Sequence, residues 1–121
     1  MTTGEFGDPF FDITPDLLVV FQGDSATLTC TARLYLHGTS PCNHTNCARF
    51  IPWRVYLHNV DNHSPVTLNG SNSEEFIHGE LVITSELQLN SITPSSAGGY
   101  TCQLNYGNAS AERVIQLYVT G

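Results

Sequence analysis

Apolar and polar residues alternate along most of this chain with a period of two residues. Between Ala26 and Ala32, for example, every second residue is apolar or cysteine and the residues between them are threonines. The same alternation recurs in residues 51–58, 81–89, 100–105 and 115–119. Successive side chains of a β-strand point to opposite faces of its sheet, so this pattern predicts half-buried antiparallel strands.

Clusters of turn-forming residues separate the predicted strands. They occupy residues 22–24, 38–46, 59–65, 69–73, 93–99 and 107–108. Several short strands with turns between them are typical of a β-sandwich or a barrel, and 121 residues fit a single domain. We predict one all-β domain over residues 7–121. Residues 1–6 resemble an expression start followed by a cloning scar, so we expect them to lie outside the fold.

The four cysteines are Cys30, Cys42, Cys47 and Cys102. An even number suggests two disulfides, for which three connectivities are possible. Cys42 and Cys47 are close together in a turn-rich stretch, where a local bridge is geometrically easy, and this leaves Cys30 to pair with Cys102. Disulfides form and persist in oxidising compartments, so we predict an extracellular protein.

Zinc binding is the alternative for the same stretch. His37 and His44 could join Cys42 and Cys47 as a set of four ligands. Their spacing matches no standard zinc pattern, so we favour the disulfides and expect neither a metal nor a cofactor.

The chain carries few charged residues, and most of them are acidic, which excludes several kinds of partner. Charged residues make up 12% of the sequence, against about 25% in an average domain, and the net charge is −7 without a single lysine. Nucleic-acid binding needs clustered basic residues, so we exclude it, along with attraction to anionic lipid. The longest apolar run, Leu17 to Phe21, is far too short for a membrane span. We expect membrane attachment only through a segment outside this sequence.

Four N-x-S/T triplets predict asparagine-linked glycosylation. Their asparagines all fall in predicted loops and are Asn43, Asn62, Asn69 and Asn108. Sugars at these positions would supply the hydration that charged side chains usually provide.

Several of these residues together resemble the immunoglobulin superfamily over residues 8–120. The resemblance lies in Cys30 within Leu28-Thr29-Cys30, in Trp53, in Leu87-Gln88-Leu89, and in Gly98 before Tyr100-Thr101-Cys102. It implies that Cys30 and Cys102 join two sheets, that Trp53 packs on their disulfide, and that Leu89 lies in the core. It also implies a tyrosine corner at Tyr100 and a tight turn at Gly98.

The resemblance is closest to a variable-type domain, an antiparallel β-sandwich with Greek-key topology. The stretch between Trp53 and Leu81 leaves room for strands C′, C″ and D. The strands that we predict are A/A′ near 11–21, B 25–33, C 50–58, C′ 65–69, D 74–78, E 80–90, F 99–106 and G 111–119.

The sequence departs from the family pattern at three points. Ser96 occupies the position where variable-type domains often carry an aspartate, and residues 66–80 contain no arginine to pair with one. Strand G lacks the Phe-Gly-x-Gly motif of antigen receptors, which argues against an antibody or T-cell-receptor chain. The connection between strands B and C is unusually long and contains the Cys42–Cys47 stretch.

The alternation also predicts which residues face outward on the sheet formed by strands G, F, C and C′. If Trp53 and Val55 point into the core, the residues between and beyond them point to solvent. The outward residues predicted for this G-F-C-C′ face are Arg54, Tyr56, His58, Gln103, Asn105 and Gln116. Arginine and tyrosine often anchor protein interfaces, so we predict partner binding here. The alternative is that these are ordinary solvent-facing strand residues.

Glycosylation would favour this face over the loops. Asn43, Asn69 and Asn108 are predicted at one end of the sandwich, which their sugars would cover, whereas Asn62 is predicted at the opposite end. The competing site is the B–C loop, because a Cys42–Cys47 bridge would hold it rigid for binding.

We find no catalytic motif in the sequence: no G-x-S-x-G, no glycine-rich phosphate loop and no evident carboxylate pair. We therefore expect a binding protein and no enzyme. The predicted function is that of an extracellular recognition module of a cell-surface adhesion or immune-type receptor, binding a protein ligand or a second copy of itself. The alternatives are a secreted or viral ligand-capturing module and a structural spacer.

Overall fold

The computed structural model of the protein describes residues 5–6, 10–13, 16–37, 48–58, 65–106 and 109–121. The strands within these ranges are β1 (Glu5–Phe6), β2 (Phe10–Ile13), β3 (Leu17–Phe21), β4 (Ala26–His37), β5 (Ala48–Phe50), β6 (Trp53–Leu57), β7 (Val66–Leu68), β8 (Ser71–Ile77), β9 (Glu80–Leu89), β10 (Gly98–Tyr106) and β11 (Ala109–Thr120). One 3-10 turn, Pro94–Ser96, precedes β10. None of the described ranges contains a helix with the length and hydrophobicity of a membrane span.

The strands form two sheets that pack face to face. In one sheet the order is β1-β4-β9-β8, and β2 also pairs with β4. In the other the order is β3-β11-β10-β6-β7, and β5 also pairs with β10. Every pair of neighbouring strands is antiparallel except β3 and β11, which run parallel. The predicted all-β immunoglobulin-like sandwich is confirmed.

The predicted A/A′ segment forms two strands that lie in different sheets. β2 pairs with β4, whereas β3 crosses to the opposite sheet and pairs with β11. Residues Glu5 and Phe6, which we expected to lie outside the fold, form β1 and pair with the end of β4. They therefore extend this sheet by one strand.

The predicted strand C is also divided, into β5 and β6. Pro52 has no backbone N–H and cannot donate to the ladder, so regular pairing stops at Ile51 and Pro52. The Ile51 N–H still donates to the Gln103 carbonyl oxygen at 3.0 Å. Both parts consequently remain aligned along β10.

The expected C″ strand is absent from the stretch between β7 and β8. Only Asn69 and Gly70 connect these two strands, and β8 begins at Ser71, three residues before the predicted strand D. Variable-type domains carry both C′ and C″. The variable subtype therefore stays a prediction, while the immunoglobulin-like sandwich stands.

The core between the sheets is built around the single tryptophan. Trp53 is fully buried, and its indole Nε1 donates to the Ser85 hydroxyl at 2.9 Å. Ser85 lies opposite Cys30 in the ladder between β4 and β9, and a disulfide joins Cys30 to Cys102 across the two sheets. Leu89 is half-buried against this core. The fully or nearly buried aliphatic side chains around it include Leu28, Leu34, Leu81, Ile83, Leu104, Ile115 and Leu117.

Gly98 and Tyr100, at the start of β10, hold this strand close to β6 and to the turn that precedes it. A side chain at Gly98 would overlap the carbonyl oxygen of Tyr56, so glycine is required because β10 approaches β6 closely. We expected Gly98 to serve a tight turn, but it lies within β10 and its backbone has no positive φ. Just beyond it, the Tyr100 hydroxyl donates to the Ser96 carbonyl oxygen at 2.6 Å, the arrangement of a tyrosine corner.

Candidate protein-binding face

The G-F-C-C′ face is the outward side of β11, β10, β6 and β7. Strand register aligns its residues in rows: Arg54, Thr101 and Val114 form one row, and Tyr56, Gly99 and Gln116 form the next. Between the rows lies an open depression of about 470 Å³, lined by Arg54, Tyr56, His58, Gly99, Thr101, Glu112, Val114 and Gln116. Gly99 contributes no side chain, and this keeps the floor of the depression low.

Arg54 is the centre of a polar network at one end of the depression. Its Nη2 donates to Gln103 Oε1 at 2.6 Å and to Glu112 Oε2 at 2.8 Å. Gln103 in turn donates from Nε2 to Asn105 Oδ1 at 3.2 Å. The network therefore ties side chains of three adjacent strands into one arrangement.

The Arg54–Glu112 pair is partly open to solvent. The side chains of Arg54 and Glu112 are 34% and 54% exposed, so water screens their attraction and the pair contributes about 0–1 kcal/mol to stability. The Arg54 Nε is enclosed and finds no acceptor among the described residues. The contacts thus orient the guanidinium but add little to stability.

Exposed aromatic and apolar side chains lie beside this network. Tyr56 and Tyr118 are each 45% exposed, and Val114, in the same row as Arg54, is 43% exposed. The rings of His58 and Tyr118 meet edge to face, with centroids 5.9 Å apart and planes at 61°. Exposed tyrosines beside a held arginine are the residue types that most often anchor protein interfaces.

The six residues predicted for this face come together in the structure. Arg54, Tyr56, His58 and Gln116 line the depression, and Gln103 and Asn105 belong to the Arg54 network. Their role in binding stays a prediction.

Sequence reasoning missed Glu112, Tyr118, Thr101 and Gly99 on this face. Glu112 and Tyr118 stand on the same alternation as Val114 and Gln116, so continuing the period along strand G would have identified both. The pairing of Glu112 with Arg54 needed the register of three strands, which the sequence does not reveal.

The remaining predicted sites are only partly visible. Asn69 is exposed in the short connection between β7 and β8. Asn43, Asn62, Asn108, Cys42 and Cys47 lie outside the described residues, so glycosylation and the second disulfide stay predictions. Within the described ranges, no group of three or more His, Cys, Asp or Glu side chains is placed to hold a metal ion.

Comparison with solved structures shows the same fold. A chain of the complex between Dpr2 Ig1-Ig2 and DIP-Theta Ig1-Ig3 aligns over 93% of this chain and 32% of its own length, with a TM-score of 0.57 and 13% identity. A chain from the structural study of T-cell specificity and activation by the bacterial superantigen toxic shock syndrome toxin-1 aligns over 93% of this chain and 100% of its own length. It has a TM-score of 0.55 and 16% identity. The M1 domain from titin aligns over 95% of this chain and 97% of its own length, with a TM-score of 0.51 and 14% identity.

These similarities define the fold and no more. No protein-family model matches the sequence, and no curated protein matches it. The chain spans less than a third of the aligned chain in the Dpr2 complex. In all, 509 solved chains match the structure, and a fold so widely shared hosts many functions. Two sheets joined by the Cys30–Cys102 disulfide, with Trp53 buried between them and a tyrosine corner at Tyr100, make this chain an immunoglobulin-like domain.

Proposed function

We propose that this domain is an extracellular recognition module that binds a protein partner through the G-F-C-C′ face. The observation that carries the proposal is the arginine-centred network beside exposed Tyr56 and Tyr118 on one open surface. Such a surface offers a partner a fixed charge pair, hydrogen-bonding amides and rigid aromatic rings. A depression this open suits a protein surface better than an enclosed small molecule.

The disulfide and the predicted sugars support an extracellular location. The Cys30–Cys102 bond is typical of oxidising compartments, and four sequons would be used only in the secretory pathway. One similar solved chain comes from a complex of immunoglobulin domains, Dpr2 with DIP-Theta. We propose the cell-surface adhesion or immune-type receptor as parent protein, with a secreted or viral ligand-capturing protein as the second candidate.

A binding screen tests the proposal. A multimerised form of the domain would be applied to an array of extracellular domains, including its own, and hits would be measured by surface plasmon resonance. Arg54→Glu and Tyr56→Ala should each weaken a genuine interaction by about tenfold or more, because they remove the anchors of the face.

The opposite sheet supplies a matched control. Arg33 pairs with Glu80 at 3.2 Å, with its side chain 47% exposed, so Arg33→Glu makes the same charge change away from the face. We expect its binding to stay within about twofold of wild type. If Arg54→Glu and Tyr56→Ala bind like wild type, the face is not the site and the B–C loop becomes the candidate.

A further inference from the structure

Strand β3 presents an apolar stripe at the free edge of the six-stranded sheet. Leu17, Val19 and Phe21 are 54%, 59% and 66% exposed, although all three are large apolar residues. Leu18 and Val20, which alternate with them, pack half-buried against the core. The side chains of Leu18 and Val20 therefore anchor β3 to the core, whereas those of Leu17, Val19 and Phe21 face solvent.

The backbone of β3 also has an open edge. The Gln116 N–H donates to the Asp16 carbonyl oxygen at 2.8 Å, and the Gln22 N–H donates to the Thr120 carbonyl oxygen at 2.7 Å. In a parallel pair, alternate residues direct both backbone groups to the neighbouring strand, so the even-numbered residues of β3 face β11. The odd-numbered residues direct their N–H and C=O groups away from the sheet. Among the described residues, β3 pairs with β11 alone.

The usual protections of an edge strand are missing from this one. Natural edge strands carry charged side chains, especially lysine, or proline, to prevent pairing with other chains. The five residues Leu17–Phe21 contain no charge and no proline. Such an edge can accept a further strand, and the same three residues provide both its open backbone groups and its exposed side chains.

We infer that two copies of this chain associate by pairing their β3 strands edge to edge, antiparallel, about a two-fold axis at Val19. In this register, Val19 faces Val19 of the second copy, and Leu17 faces Phe21 of the second copy. These are the odd-numbered residues, so each facing pair is a hydrogen-bonded pair that uses the open backbone groups. All facing side chains are apolar and lie on the same exposed side of the joined sheet.

Four hydrogen bonds form without disturbing either copy. Two join Val19 to Val19 of the second copy, and two run from Phe21 N–H of each copy to the Leu17 carbonyl oxygen of the other. The Phe21 carbonyl oxygen already accepts from Asp24 N–H at 3.1 Å in the following turn, so the dimer does not depend on it.

The self-complementary register and the absence of charge on β3 favour a second copy as the partner. Each chain carries a net charge of −7, and two copies repel over most of their surfaces, but β3 is uncharged over its whole length. The nearest acid, Asp16, faces Gln22 of the second copy and does not meet its own equivalent. A strand paired antiparallel with itself satisfies the two-fold symmetry of a closed dimer.

The dimer is expected to be weak and reversible. Pairing one short strand buries less than the roughly 1,200 Å² of a stable complex. Sedimentation velocity from micromolar to millimolar concentration should show monomers giving way to dimers. Amide hydrogen exchange by NMR should show protection that rises with concentration at Val19 and Phe21, and unchanged protection at Leu18 and Val20, whose amides face β11.

Val19→Pro tests the backbone contact directly. It removes an N–H that points away from the sheet, a position where an edge strand tolerates proline. We expect dimerisation to weaken by about tenfold or more, because both symmetry-related bonds are lost. The matched control is Val19→Thr, which keeps the N–H and the β-branched shape and should dimerise within about threefold of wild type. Circular dichroism establishes that both variants are folded.

Arg54→Glu separates this inference from the proposed function. The variant alters the G-F-C-C′ face and leaves the β3 backbone unchanged, so edge dimerisation should persist in it. A chain that stays monomeric at millimolar concentration overturns the inference. A dimer that survives Val19→Pro but dissociates in Arg54→Glu also overturns it, and assigns self-association to the face.

Discussion

The hydrogen bond between Trp53 and Ser85 makes a sharp test of how the core is held together. Both residues are essentially inaccessible, at 0% and 1% exposure, and the bond from Nε1 to the serine hydroxyl is 2.9 Å long. Ser85→Ala removes the acceptor but leaves the indole N–H buried. A buried donor without a partner costs about 1–3 kcal/mol, so we expect the free energy of unfolding to fall by about 2 kcal/mol.

In the Ser85→Ala variant, little space is left for a water molecule to accept the hydrogen bond from the indole N–H. A side chain at Gly70 would lie 2.7 Å from both Ser85 Oγ and Trp53 Nε1, so the connection between β7 and β8 closes over the pair. A water would have to enter this space to satisfy the indole. The exposed Ser73 on β8 provides the control, since Ser73→Ala should change stability by no more than about 0.5 kcal/mol.

A double-mutant cycle isolates the bond. Trp53→Phe removes the donor, and combining it with Ser85→Ala leaves neither group unpaired, so the double variant should be more stable than the sum of single effects by about 1–2 kcal/mol. The assay is urea unfolding followed by far-UV circular dichroism. Tryptophan fluorescence cannot be used for all four proteins, because Trp53 is the only tryptophan and the Trp53→Phe variants lack it. Additive effects, or a Ser85→Ala protein as stable as wild type, would refute the reasoning.

Three further predictions concern turns and strand contacts. Tyr100→Phe should lower stability by about 1 kcal/mol at neutral pH, because the Ser96 carbonyl oxygen loses its partner. Burial raises the pKa of the Tyr100 hydroxyl above its ordinary 10.0, because the folded protein disfavours the charged phenolate. The stability that the neutral hydroxyl contributes is therefore fully present below pH 10, and it is lost as the pH rises through the raised pKa. Urea unfolding across this range should show a loss of stability in wild type that is smaller in Tyr100→Phe. Gly98→Ala should lower the free energy of unfolding by about 2 kcal/mol or more, because the added Cβ would collide with the β6 backbone. A fall in the melting temperature of less than about 2 °C would contradict this. His78→Asn should stabilise by a few tenths of a kcal/mol, because His78 and Gly79 both have positive φ in a two-residue hairpin turn that favours Asn-Gly, and a lowered denaturation midpoint would contradict this.

The sequence alone determined the kind of fold and the direction of most side chains. Alternation is a local property, because successive Cβ atoms of any strand point to opposite sides. It therefore predicted that Trp53 points inward and that Arg54 and Tyr56 point outward, without any knowledge of which strands pair. The cysteines, the tryptophan and Tyr100 then pointed to the immunoglobulin-like sandwich.

The tertiary structure decided which strands meet and in what register. Glu112 reaches Arg54 only because β10 aligns β11 with β6, and Ser85 reaches Trp53 only because the two sheets face each other. The segment predicted as A/A′ near residues 11–21 is divided between the sheets, and this places Leu17, Val19 and Phe21 on an open edge. Register and sheet order depend on contacts between residues distant in sequence, which a local pattern does not encode.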